Sequence, residues 1–220
     1  MTAPTLPVLA IIGGTGDLGS GLARTWSRAG YTVVLGSRST ERAEEIAAQL
    51  RSDGFASVSG LSNVDAAARG DIIVIAVPFS NYEASLAEIK DAAKTKIVVT
   101  AVVPLVPPKV SVVQLPAAGS AGVIAQSLLD PSTRVVGAFH NVGSQKLHAG
   151  GKADCDVLVF GDDAEARAEV IKLADAVSNR GIDGGSLANS AAAEALTSVL
   201  IWINRKYKVK GAGITISGLA

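Results

Sequence analysis

A single cysteine, a single methionine, two histidines and only 4% aromatic side chains in 220 residues leave few chemical roles open. One cysteine, Cys155, excludes an internal disulfide and any thiolate metal cluster, and is expected to be a buried, inert thiol. The histidines, His140 and His148, lack the spacing of a metal site, so no metal ligand set is expected, and His148 is expected at the surface. Charge of neither sign prevails: 20 basic and 20 acidic residues, with no basic stripe interleaved with aromatics, argue against nucleic acid as a partner. Long apolar runs are also missing. Although 48% of the residues are hydrophobic, runs such as 72–77 are strand length, far below the roughly 20 residues of a membrane span. The first seven residues carry neither a basic region nor an apolar core, so no signal peptide is expected and a cytoplasmic location follows.

What is present begins at Val8. Five apolar residues, Val8 to Ile12, run into Gly14-Thr15-Gly16-Asp17-Leu18-Gly19 and then into a helical pattern over 17–29. This glycine spacing after a strand is the dinucleotide fingerprint. The first glycine permits a tight turn, the second lets a pyrophosphate approach the backbone, and the third lets helix and strand meet. The phosphates then sit on a helix N-terminus. A site for NAD usually ends its second strand with an acid that holds the ribose 2'-hydroxyl. Here Tyr31 to Gly36 is followed by Ser37-Arg38-Ser39-Thr40-Glu41-Arg42, with no acid before Glu41. Hydroxyls and two guanidinium groups suit a 2'-phosphate, so Ser37, Arg38 and Arg42 point to NADP.

Apolar strand-length runs at 8–12, 32–35, 56–58, 72–77 and 97–100 alternate with helical patterns near 17–29, 40–51, 63–69 and 80–93. Almost wholly apolar strands are expected when helices cover both faces. The fold expected is therefore α/β, a doubly wound parallel sheet of the Rossmann type with a small C-terminal helical or cap portion. Pro78 and Phe79 follow the fourth strand, where the strand order reverses and ligand binds, and are expected to touch cofactor. Residues 101–118 carry Pro104, Pro107, Pro108 and Pro116 and no periodicity. Loops this long are usually functional, so this one reads as a rim of the active site, with Leu105 as its expected cofactor contact. A helix over 120–129, a strand over 134–138, a polar turn 139–144, a strand over 157–160 and a helix over 162–177 follow. His140, in that turn, is a candidate ligand contact. The helix from Ser190 to about Lys206 is strongly apolar and suits a twofold dimer contact, with burial in the chain's own core as the alternative. A final short strand is expected near 214–216.

Tyr31, Tyr82 and Tyr207 are not followed four residues later by lysine, so the tyrosine and lysine pair of short-chain dehydrogenases is absent. Without an obvious proton donor, the sequence suits direct passage of hydride between two bound redox cofactors, with no catalytic side chain.

The residues resemble one family, the NADPH-dependent reductases of the deazaflavin coenzyme F420, also called F420H2:NADP oxidoreductases. The likeness spans nearly the whole chain: Gly14 to Gly19, Gly36-Ser37-Arg38 with Arg42, Ala76-Val77-Pro78, Val103-Pro104, Phe139-His140-Asn141, Cys155-Asp156-Val157, Glu194-Ala195-Leu196-Thr197 and Ala212-Gly213-Ile214. The resemblance implies hydride transfer between C4 of the nicotinamide and C5 of the deazaflavin, with F420 as co-substrate. It implies that Thr15, Ser37, Arg38 and Arg42 hold the 2'-phosphate end. It also implies that the turn from His140 to Ser144, with Thr197 and Ala212, borders the two reacting rings. Some members have Arg after the pair that is Asn189-Ser190 here, and Ser before Leu196-Thr197, where this chain has Ala191 and Ala195. The expected organisation is a dinucleotide-binding portion, 1–140, and a smaller portion, 141–220, for deazaflavin binding and dimerisation. Alternative readings are an NADPH-dependent flavin or metal reductase, and a non-catalytic NADPH-binding regulatory protein.

Overall fold

The computed structural model describes residues 5–149 and 151–219. The first four residues, which the leader reading uses, lie outside the described part, as does Gly150. The first half alternates as the apolar runs require: β1 (Leu9–Ile12), α1 (Asp17–Arg28), β2 (Val33–Ser37), α2 (Thr40–Ser52), β3 (Val58–Ser62), α3 (Asn63–Arg69), β4 (Ile72–Ile75), α4 (Tyr82–Ile89) and β5 (Ile97–Thr100). After an irregular stretch come α5 (Ala121–Leu128), β6 (Arg134–Gly137), α6 (Ser144–His148), β7 (Ala153–Gly161), α7 (Ala164–Val177), β8 (Ser178–Asp183) and α8 (Ser190–Tyr207).

The strands form one sheet in the order β3-β2-β1-β4-β5-β6-β7-β8. Every residue of β1, β4 and β5 is buried, because helices cover both faces. One apolar cluster joins α1, α2, α6 and α7 to the sheet through residues such as Leu22, Trp26, Leu50, Leu147 and Leu173. The other, through Ala66, Tyr82, Leu86 and Ala125, joins α3, α4 and α5 to the opposite face. β1 and β4 run parallel, and the order in which strands are added to the sheet reverses between them, which places a crevice at their carboxyl ends.

Trp26 fastens the first cluster. It is fully buried, its Nε1–H donates to the carbonyl of Leu173 in α7 at 3.0 Å, and its ring meets Phe139 edge-on at 5.5 Å. The first strand-helix unit is thereby tied both to α7 and to the residues that follow β6.

The sheet departs from the expected pattern at its ends. β7 runs antiparallel to β6 and then pairs in parallel with β8, so the sheet is mixed. β8 was not expected, because Ser178-Asn179-Arg180-Gly181-Ile182-Asp183 has no apolar run. It is an edge strand with little side-chain burial to advertise. β3 lies at 58–62 rather than 56–58. Its Gly60 is required by backbone crowding, since a β-carbon there would stand 2.3 Å from the Ala43 carbonyl carbon. β4 stops at Ile75, β7 spans 153–161, and α4 is limited to 82–89, preceded by a 3-10 turn at Phe79–Asn81. The short α6 occupies part of the expected polar turn. No strand forms near 214–216. That segment lies beside β7 and shares one backbone bond with it, Asp156 N–H to Ile214 O at 2.8 Å.

Replacing Trp26 with alanine is expected to cost about 3–5 kcal/mol of stability, as for other buried Trp-to-Ala changes. Urea unfolding followed by circular dichroism measures this, and a loss under about 1 kcal/mol would rule out Trp26 as the fastening of this core.

Candidate active site

At the carboxyl end of β1 the chain turns on Gly13, whose φ is +79°. A β-carbon there would lie 2.7 Å from the Ala76 carbonyl oxygen; at Gly14 it would lie 2.9 Å from the Ile11 carbonyl oxygen, and at Gly19 2.7 Å from that of Gly13. The left-handed residue is thus Gly13, one place before the expected turn glycine. Gly14 and Gly19 are required by close backbone approach instead. Gly16 caps α1 without a side-chain hydrogen bond. α2, α3, α5 and α7 are capped by the side chains of Ser39, Ser62, Ser120 and Asp163, whereas α4, α6 and α8, like α1, have no side-chain cap. The first-turn N–H groups of α1, at Asp17, Leu18 and Gly19, therefore stand without a side-chain acceptor, the arrangement that receives a phosphate.

Beside this turn lies a cavity of about 210 Å³ walled by Gly13, Thr15, Gly16, Ser37, Arg38, Asn63, Ala76, Val77, Pro78, Asn81 and Ser85. Ser39 caps α2 by accepting from Arg42 N–H at 3.1 Å, and Ser37 Oγ accepts from Ser39 N–H at 3.3 Å. Arg42 forms an exposed pair with Glu45 at 2.6 Å, worth little in water and easily exchanged. Arg38 is exposed and, among the described residues, makes no ion pair or side-chain hydrogen bond. A permanently charged fork is thus left open on the cavity wall.

A second cavity, about 450 Å³, continues from the first along Asp17, Leu18, Pro78, Phe79, Val103 and Leu105. Its wall is mainly apolar. Among the described residues, Asp17 and Arg38 are the only ionisable ones lining the two cavities. The expected rim loop therefore does supply wall, through Leu105, Pro107 and Val110.

His140, Ser144, Thr197 and Ala212 come together in a separate cluster that lines neither cavity. Ala138 N–H donates to Thr100 O, which places this cluster at the same end of the sheet. The Thr197 hydroxyl donates to the carbonyl of His140 at 2.9 Å, and Asn141 Nδ2 donates to both Ala193 O and Thr197 Oγ1 at 3.0 Å. The hydroxyl thus holds the turn. The Gly143 and Gly211 backbones touch, a β-carbon on Gly143 falling 2.9 Å from Gly211 Cα, and Ala212 N–H donates to Asn204 Oδ1 at 2.8 Å. Residues beyond are fixed by Arg180, which grips Asp156 with two nitrogens and donates to Ile216 O at 2.6 Å. That guanidinium holds the Asp156 carboxyl below the usual carboxylate range. His148, exposed as expected, also donates from Nε2 to Asp17 O at 2.8 Å and so props α6 against the start of α1.

Beneath the turn lies Glu194, 1% exposed. Its carboxylate accepts from Ala121 N–H at 2.7 Å, Gly122 N–H at 3.2 Å and Ser190 Oγ at 3.1 Å. Burial raises its pKa, and those donors oppose the rise. The His140 ring is also buried, with neither nitrogen hydrogen-bonded, and burial lowers its pKa to about 4. At 3.9 Å from Glu194, a neutral imidazole makes a contact rather than an ion pair. Sequence reasoning gives no role to Gly13, Asn63, Asn81, Ser85 or Glu194. Glu194 did carry a signal, as the one acid inside an apolar helix.

The family described as "NADP oxidoreductase coenzyme F420-dependent" matches residues 8–104. The chain is 40% identical to the F420-dependent NADP reductase of Methanocaldococcus jannaschii, covering 96% of this chain and 98% of that protein. It is 36% identical to the protein of that name from Methanothermobacter thermautotrophicus, over 96% and 95%. A solved structure from Arthrobacter sp. FB24, described as a candidate F420-dependent NADP-reductase, superposes with a TM-score of 0.79 at 24% identity, covering 96% of this chain and 100% of that one.

The buried imidazole makes stability depend on pH. Unfolded, His140 takes a proton near its ordinary value of 6.5; folded, it does so only near 4. Stability therefore falls as pH drops through that window, by about 2 kcal/mol between pH 7 and pH 5. The raised pKa of Glu194 acts in the opposite sense in the lower part of the window. Unfolding curves at the two pH values should show a smaller drop for His140→Gln than for the parent, and equal drops would refute the assignment.

Proposed function

Because the chain belongs to the family of F420-dependent NADP reductases, we propose that its two cavities and the turn above α8 serve hydride transfer between NADP(H) and the deazaflavin coenzyme F420. The reading is carried by an uncapped α1 start and an unpaired Arg38 on one cavity, in a chain 40% identical over almost its whole length to such a reductase. Hydride passes from C4 of the nicotinamide to C5 of the deazaflavin, or back, without a covalent bond to protein.

The residues present suit this division. Gly14, Thr15, Gly16, Asp17, Leu18 and Gly19 form the pyrophosphate cradle. Ser37, Arg38 and Arg42 receive the 2'-phosphate, and Arg42 exchanges Glu45 for it. Pro78, Phe79 and Leu105 line the apolar cavity that receives the ring end. His140, Ser144, Thr197 and Ala212 shape the deazaflavin side through the fixed backbone of the turn, since the His140 imidazole is buried and the Thr197 hydroxyl is engaged. The walls exclude water and align rings rather than exchange protons. Residues 1–140 thus hold the dinucleotide and 141–220 supply the second cofactor's side, on a sheet that continues across the boundary.

The same reading makes the enzyme a cytoplasmic homodimer. Cys155, buried and unpaired, with its thiol pKa pushed up to about 11, suits a reducing compartment. No described helix is long and apolar enough to cross a membrane. α8 buries Ala193, Glu194, Ser198 and Leu200 on its inner side but exposes Val199 and Trp202, the latter at 58%. An apolar outer face of this kind supports a contact with a second copy.

Purified protein mixed with NADPH and oxidised F420 should deplete the deazaflavin absorbance, with NADH and FMN much poorer in parallel assays. Turnover of FMN alone would favour a flavin reductase. Arg38→Ala should raise KM for NADPH by about tenfold to a hundredfold while leaving KM for NADH nearly unchanged. Equal losses would exclude the 2'-phosphate role. Sedimentation velocity should show a dimer that Trp202→Asp converts to monomer, and a monomeric parent would remove the dimer from the reading.

A further inference from the structure

Within the dinucleotide cavity, we propose that Asn63 reads the adenine base by accepting a hydrogen bond from its exocyclic amino group. The proposal rests on the NADP reading of that cavity. Asn63 opens α3 and is only 3% exposed, yet it forms part of the cavity wall. Its Nδ2 donates to Glu88 Oε2 at 2.8 Å. A carboxylate only accepts, so Glu88 fixes which way round the amide stands. Oδ1 is left with no donor. It lies at the carboxyl end of β2, where a β-carbon on Gly36 would stand 3.1 Å from it.

A buried acceptor without a donor is costly unless a ligand supplies one. The cavity has the form of a base slot at this end. Ala76 and Val77 give an apolar wall, and Asn81 and Ser85 add polar groups with no side-chain hydrogen bond among the described residues. Ser37 and Arg38, which follow Gly36 at the same end of β2, are already assigned to the phosphorylated ribose, so the base stands next to it. Adenine presents an amino donor at C6, whereas hypoxanthine presents a carbonyl there, which would face Oδ1 acceptor to acceptor. Asn63 is therefore a selector of the base, held in one orientation by a residue outside the cavity.

The test is equilibrium binding of NADPH and of its hypoxanthine analogue, followed by nicotinamide fluorescence with no deazaflavin present. The parent protein should prefer NADPH by about tenfold. Asn63→Ala should bring the two within about twofold, because the lost contact concerns only one of them. Glu88→Gln, which lets the amide turn over, should narrow the preference while keeping Asn63. A parent that binds both equally, or an Asn63→Ala protein that keeps the full preference, overturns the proposal while leaving NADPH binding intact. Failure to bind either dinucleotide would instead overturn the nucleotide reading, and this proposal with it. Absence of F420 turnover bears on neither binding result.

Discussion

The close approach of three backbone segments at the end of β1 sets the geometry on which the rest of the site depends. Gly13 lies against the Ala76 carbonyl of the neighbouring strand, and Gly19 of α1 lies against Gly13 and Gly14. No side chain fits at any of these positions, so α1 begins almost on top of the crevice and its free amides point into it. The start of α1 has no side-chain cap, as at α4, α6 and α8, whereas α2, α3, α5 and α7 are capped by a serine or aspartate; what sets α1 apart is that its uncapped amides face the crevice. A stabilising cap here would compete with the anion.

A second constraint operates at the other end of the crevice, and it is electrostatic. Glu194 is a carboxylate buried where only directed N–H and O–H groups make burial tolerable. Its partners are the first amides of α5, at the end of the long rim loop, and Ser190 of its own helix. Thr197, one turn further along α8, holds the His140 carbonyl. One helix therefore fixes both the closing end of the loop and the turn expected beside the reacting rings, while its outer face still exposes Val199 and Trp202.

The dinucleotide half was legible because its signals are local. A glycine spacing, a strand that ends without an acid, and apolar runs of strand length each follow from a few adjacent residues. The remainder depended on neighbours distant in sequence. β8 has no apolar pattern because it is an edge strand, and β3 was misplaced because Gly60 answers to the α2 backbone rather than to its own neighbours. The family likeness named His140 and Thr197 together, and the structure joins them through one hydrogen bond. It could not tell that the imidazole faces inward or that the threonine hydroxyl is committed to the backbone, since both facts are set by α8 folding back from residue 190 onward. Asn63 was silent for a similar reason: its meaning lies in Glu88, twenty-five positions away.

The strapped tail has a kinetic aspect. Residues 208–219 form neither helix nor strand, yet Ile216 N–H reaches Asp156 at 2.7 Å and Arg180 clasps the same segment. The tail behaves as a tethered peptide ligand for the Asp156–Arg180 pair, present at the millimolar local concentration typical of short linkers. A detached peptide of the same sequence would have to exceed that concentration to displace it. The cover that Gly211 and Ala212 lay across the turn is therefore held by its attachment to the same chain as well as by its own contacts.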